Sequence, residues 1–147
     1  MLNFFIQSGT GQECEDEDIV SNASVLDLAE LCVLEMNMTE VDCSGLQLDR
    51  FTVSREWQPS KVLVLRLNYN KLTVIPKLSE FTNLQELDLS HNRITQVAAK
   101  AFNGLSQLRK LNLEMNDGLI LGNTTVFSSS FSGLTNLKSF RSVFQYS

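Results

Sequence analysis

Val62-Leu63-Val64-Leu65-Arg66-Leu67-Asn68-Tyr69-Asn70-Lys71-Leu72 is the stretch on which the reading of the fold turns. Leu65 and Leu67 alternate with Arg66 and Asn68, a period-2 pattern that predicts a short strand with one buried and one open face. Two more stretches repeat it at the same offsets, Leu84-x-x-Leu87-x-Leu89-x-x-Asn92-x-Ile94 and Leu108-x-x-Leu111-x-Leu113-x-x-Asn116. The three units thus begin at Val62, Leu84 and Leu108, and the asparagines keep the same spacing as these starts. Ala101-Phe102-Asn103-Gly104-Leu105-Ser106-Gln107-Leu108 leads into the third unit, and Ser130-Phe131-Ser132-Gly133-Leu134-Thr135-Asn136-Leu137 restates that phrase after a longer interval. Four units are visible, the last cut short. Leucine fills 23 of 147 positions, as a core rebuilt in every unit requires.

A unit of this size cannot bury its apolar face alone, whereas stacked units share one continuous core. The period and the fixed asparagine are those of the leucine-rich repeat. The expected fold is therefore α/β: a solenoid with a curved parallel sheet on its concave face and an irregular or short-helical convex side. Asn70, Asn92 and Asn116 stand where the chain leaves each strand. An inward amide there would satisfy loop N–H and C=O groups whose burial unpaired costs about 1–3 kcal/mol each. Phe102 and Phe131 are expected to fill the convex side. Gly118 takes a leucine slot in the third unit, so the core position should pass to Leu119 or Leu121. The fourth unit, Leu137-x-x-Phe140-x-Ser142, begins as a repeat and then fails, with Gln145 in the asparagine slot.

Ahead of the repeats the pattern changes. Ser24-x-x-Asp27 reads as a helix-start capping box, and Val25, Leu28, Ala29 and Cys32 follow at helical spacing, which predicts a short helix over 24–34. The stretch from Cys32 to Leu48, with Val41-Asp42-Cys43-Ser44 as its most recognisable phrase, resembles the cysteine-bearing N-terminal cap of extracellular leucine-rich repeat proteins. Those caps are hairpins pinned by a disulfide, and Cys32 with Cys43 fits that bridge best. Cys14 is then the odd thiol, to pair outside this chain, pair between chains or replace one cap partner. The chain divides accordingly into an acidic flexible segment (1–23, with a signal-peptide remnant read at 1–12), a helix and cysteine cap (24–60), and repeats (61–147).

The single short bridge, the uneven units and the Ala-Phe-x-Gly-Leu-x-x-Leu phrase look like the start of a Toll-like receptor ectodomain, a resemblance covering residues 32–137. It implies an extracellular ectodomain that binds microbial, glycan or protein ligands, dimerises, and serves innate immune signalling through a membrane span and cytoplasmic domain beyond this stretch. The alternative is an adhesion, matrix or soluble secreted leucine-rich repeat protein with no signalling part. Insertions between units in the Toll-like family carry glycans or ligand loops, and Gly118–Ser130 reads as one. The N-glycosylation patterns at Asn22, Asn37 and Asn123 agree with an extracellular compartment.

Composition removes other classes. Of 17 acidic residues, five lie in Glu13–Asp18, and the other 12 balance the 12 Lys and Arg. No basic face is left for nucleic acid. One His and no C-x-x-C pair leave zinc without ligands. The acidic run lacks the glycine and final Glu of a calcium loop, and Gly9-x-Gly11 lacks the rest of a dinucleotide motif. No enzyme, cofactor or metal site is expected.

Function then rests on the outward side chains of the sheet. Arg66, Asn68 and Tyr69, then Glu86, Asp88 and His91, then Lys110, Asn112, Glu114 and Met115 form the candidate binding face, with Val64 and Ser90 counted among the outward set. In-register parallel strands should set Arg66 beside Asp88 and Glu86 beside Lys110. Tyr69 and Met115 are the candidate anchors.

Overall fold

The computed structural model describes residues 32–34, 37–53, 57–121 and 124–142. One six-stranded sheet, in sequence order, runs through them. Its strands are β1 (Val33–Leu34), β2 (Glu40–Asp42), β3 (Val64–Arg66), β4 (Glu86–Asp88), β5 (Lys110–Asn112) and β6 (Ser139–Arg141). β1 and β2 are antiparallel, and every later pair is parallel. The helix α1 (Thr124–Phe131) precedes β6. From β2 onward the strands begin at Glu40, Val64, Glu86, Lys110 and Ser139. The last of these intervals is the longest, and α1 occupies it.

Register follows the repeated leucines. Val41, Leu65, Leu87, Leu111 and Phe140 lie side by side in the sheet. The four aliphatic members are all but fully buried, while Phe140, on the last described strand, is half-buried. The second leucine of each strand, Leu67, Leu89 and Leu113, is likewise sealed. On the convex side each unit turns through tight i to i+3 bonds. Phe81 N–H donates to Leu78 O and Leu84 N–H to Phe81 O, and Leu105 and Leu108 repeat this on Phe102 and Leu105.

An aromatic seam lines that side. Phe102 is fully buried and packs on half-buried Phe131 at 5.1 Å between ring centroids, with Phe131 edge-on to Phe140 at 5.4 Å. Phe51 bridges Trp57 and Phe81 at 5.9 and 6.4 Å, a cluster the repeat reading did not anticipate. Leu119 takes the core slot beside Gly118 and is 6% exposed, while Leu121 is half-buried.

Cys32 and Cys43 form a disulfide, with Cα atoms 4.4 Å apart. It ties β1 to the end of β2, so the cap is the expected pinned hairpin. The hairpin is more than a lid: β2 is itself the first parallel strand, with Val41 in the slot of Leu65. Cys43 N–H donates to Arg66 O just as Leu67 N–H donates to Asp88 O.

The predicted helix over 24–34 is corrected at its end. Val33 and Leu34 are strand, paired with Asp42 and Val41, because the disulfide draws Cys32 to the hairpin and β2 offers a free edge there. Residues 24–31 lie outside the described residues, as do Cys14, Asn22, Asn123 and Gln145.

Candidate binding face

Four rows of side chains cross the open face of the sheet, each row taking one residue per unit. The first holds Glu40, Val64, Glu86, Lys110 and Ser139, and the second Asp42, Arg66, Asp88, Asn112 and Arg141. Beyond the strands come Ser44, Asn68, Ser90 and Glu114, and then Gly45, Tyr69, His91 and Met115. Backbone bonds hold this outer part in step: Gly45 N–H donates to Asn68 O, Tyr69 to Ser90 O and His91 to Glu114 O.

The asparagines behind the face make it rigid. Asn92 Nδ2 donates to Leu67 O at 2.9 Å, Leu89 O at 3.0 Å and Ser90 O at 3.1 Å, and its Oδ1 accepts the Leu72 N–H at 3.0 Å. Asn70 does the same with Cys43 O, Leu67 O and the Leu48 N–H. Asn116 does so with Leu89 O, Leu113 O and the Ile94 N–H. Each buried amide thus serves its own unit and the preceding one, the role expected of it.

Holding that turn forces the residue before each asparagine into the left-handed region: φ is 57° at Tyr69, 52° at His91 and 56° at Met115. Such backbone is costly for side chains of this size. The result is that these three side chains stand in one row. Tyr69 and His91 stack with ring centroids 4.1 Å apart and planes 12° from parallel. Tyr69 is 57% and Met115 49% exposed.

Charges pair in register at Glu86 and Lys110, as expected, and on diagonals elsewhere. Arg66 lies beside Asp88 as expected, yet its guanidinium pairs with Glu40 on the preceding strand. Lys110 pairs with Glu86 at 2.6 Å, and Arg141 reaches Glu114 at 3.9 Å. Asp88 instead fixes the chain direction, its Oδ1 accepting Ser90 N–H at 2.9 Å while Oδ2 faces the Asn112 amide at 3.5 Å. Asp42 accepts Ser44 N–H in the same way.

These exposed pairs contribute about 0–1 kcal/mol each, so the face is held by its backbone and by the asparagines. A depression of about 320 Å³ opens over the strands, with Arg66, Glu86, Asp88, Lys110, Asn112 and Arg141 around it. Among the described residues no three His, Cys, Asp or Glu side chains gather as a metal site, and no helix is long and apolar enough to cross a membrane.

Nearly all of the sequence-predicted face residues are brought together here. Ser90 is the correction: at 5% exposure it belongs to the wall rather than the open surface, because its short side chain sits between Asn68 and Glu114 in its row. His91 is half-buried under the Tyr69 stack rather than freely exposed. Sequence reading missed Glu40 and Asp42, though Val41-x-Cys43 carries the same alternation as Leu65-x-Leu67. Asn37, in the β1–β2 turn, is exposed, and its Oδ1 accepts both the hydroxyl and the N–H of Thr39.

Against known proteins, a leucine rich repeat family model matches residues 60–117. Residues 60–117 belong to the leucine-rich repeat family, and the chain folds as a leucine-rich repeat solenoid. Human leucine-rich repeat transmembrane protein FLRT2 is 32% identical over 121 residues, covering 82% of this chain and 17% of that protein. Leucine-rich repeat-containing G-protein coupled receptor 5 of Rattus norvegicus is 45% identical over 53 residues, 36% of this chain and 6% of the receptor. Leucine-rich repeat-containing protein 3 of Danio rerio is 39% identical over 89 residues, 58% of this chain and 32% of the relative. The chain therefore spans a third or less of each of these proteins. Human trophoblast glycoprotein, also titled Wnt-activated inhibitory factor 1, shares the fold with a TM-score of 0.55 at 22% identity, over 79% of this chain and 54% of that one.

Proposed function

We propose that this leucine-rich repeat array is the protein-binding part of an extracellular protein, a receptor ectodomain or an adhesion protein, with the open face of the sheet as the contact surface. The observation that carries it is the Tyr69, His91 and Met115 row: three large side chains held in costly left-handed backbone, with Tyr69 stacked on half-buried His91 and with Tyr69 and Met115 exposed beside a mixed-charge depression. A face that needed only solubility has no use for an exposed aromatic stack, whereas a hot spot does.

The Cys32–Cys43 disulfide supports an oxidising compartment, and two relatives are by name a transmembrane protein and a receptor. The proposal takes that wider reading rather than the Toll-like branch, because the relatives found are of these other kinds. Signalling in innate immunity, microbial or glycan ligands and dimerisation are accordingly not part of the proposal. Asn37 is its glycosylation site, an exposed acceptor with Thr39 in place.

A display screen of the chain against a panel of extracellular domains tests the reading. Binders should be recovered and should be lost from the Arg66→Glu, Asp88→Arg double variant, provided the variant keeps its unfolding midpoint. A panel without binders, or binders indifferent to the substitutions, overturns it.

A further inference from the structure

The outer row of the binding face is missing one rung. Gly45, Tyr69, His91 and Met115 occupy equivalent places, all with positive φ (69°, 57°, 52° and 56°). His91 covers one face of the Tyr69 ring at 4.1 Å. The other face looks toward Gly45, which has no side chain, and a Cβ placed there would meet nothing within 4 Å. Strands lie about 4.8 Å apart, so the space over Gly45 is one stacking step from the tyrosine ring. That free face is why Tyr69 remains 57% exposed inside a stack.

The surroundings choose the occupant. Asp42, three residues upstream of Gly45, has one oxygen fixed by Ser44 N–H at 2.9 Å. Among the described residues no cation pairs with it: Arg66, its neighbour in register, turns to Glu40 instead. The slot thus offers an aromatic face, and the unit of Gly45 adds a carboxylate without a cation. A planar cation with in-plane donors meets both demands. Guanidinium stacks on aromatic faces and forks onto carboxylates, whereas an ammonium does neither as well.

We propose that the slot between Tyr69 and Gly45 receives an arginine side chain presented by the protein partner, its guanidinium stacked on the Tyr69 ring and bonded to Asp42. This deepens the reading of the sheet face as a protein-binding surface and rests on it.

Titration of the 15N-labelled chain with the capped tripeptide Gly-Arg-Gly, and with Gly-Lys-Gly, provides the test. Saturable shifts at the Gly45 amide and the Tyr69 ring are expected with the arginine peptide, several-fold weaker with the lysine peptide. Tyr69→Ala removes the stacking face, and Gly45→Asn fills the rung with a residue that accepts positive φ. Both should abolish saturation. Equal response to the two peptides, or shifts that survive both substitutions, overturns the proposal.

Shifts confined to the Asp88 and Lys110 amides overturn the slot but leave the wider binding face standing. Silence at every amide overturns the slot alone, because the display screen judges the wider face independently.

Discussion

Asn92 Oδ1 accepts the backbone N–H of Leu72, one unit back in the array, at 3.0 Å. The same amide donates to three carbonyls, so one side chain closes four backbone groups in two units. Asn92→Ala leaves the Leu72 N–H buried and unpaired, while Leu67 O, Leu89 O and Ser90 O keep the Asn70 amide, the Asn116 amide and the Tyr69 N–H as donors, so a loss of about 1–3 kcal/mol is expected. Asn92→Asp should do no better, because a carboxylate keeps the acceptor but faces the Leu67 and Leu89 carbonyls. Urea unfolding midpoints of the two variants check this, and a wild-type midpoint for Asn92→Asp would refute the role of the donors.

Core leucines should differ according to the neighbours they have on both sides. Leu87 is flanked in register by Leu65 and Leu111 and is 2% exposed, so Leu87→Ala should cost about 2–5 kcal/mol. Leu137 is only half-buried, and its truncation should cost less than half as much. Equal losses in chemical denaturation would mean that the core is not continuous along the array.

Much of this was legible from the leucine and asparagine spacing, because register in a solenoid is fixed by the repeat itself. Leu65, Leu87 and Leu111 lie side by side for that reason, and the Arg66–Asp88 adjacency follows with them. What spacing leaves open is which neighbour a long side chain turns to. Arg66 has Asp88 beside it and Glu40 diagonally behind, and rotamer choice decides for Glu40. β2 is hidden from the pattern because Val41 and Cys43 stand where the later units carry leucines. Phe51 and Trp57 fall between cap and repeat, outside any period. The Tyr69–His91 stack also depends on positive φ, which no propensity argument expects of either residue.

Two glycines of positive φ should respond differently to alanine. At Gly104 (φ 91°) a Cβ would lie 3.0 Å from Ser79 O, whereas at Gly45 (φ 69°) it meets nothing. Gly45→Ala therefore carries only the left-handed backbone penalty of about 1–2 kcal/mol. Gly104→Ala adds a clash with backbone of the neighbouring unit and should lose more. Thermal midpoints in the reverse order would overturn the close approach of the two turns.

Charge on the open face should matter little to stability. Lys110 and Glu86 are in contact at 2.6 Å, yet their side chains are 62% and 41% exposed. A double-mutant cycle through Lys110→Ala and Glu86→Ala should give a coupling under about 1 kcal/mol that fades with added salt. A larger, salt-insensitive coupling would show that the pair is shielded from water.

The two cysteines of the cap should not be equivalent. Either substitution to serine opens a loop of sequence separation 11, worth about 3 kcal/mol in the chain-entropy picture. Cys43 in addition occupies the place of Leu67 in the sheet, at 0% exposure, while Cys32 is 7% exposed at the rim. Cys43→Ser thus puts a hydroxyl into the leucine core, a further cost of about 1–3 kcal/mol. Cys43→Val removes the bridge without the polar penalty and should recover the level of Cys32→Ser. Calorimetry of the three variants should rank Cys43→Ser lowest, with Cys32→Ser and Cys43→Val together above it. Equal stability of all three would mean that Cys43 contributes only its covalent bond, and that β2 is a cap tethered to the sheet rather than its first strand.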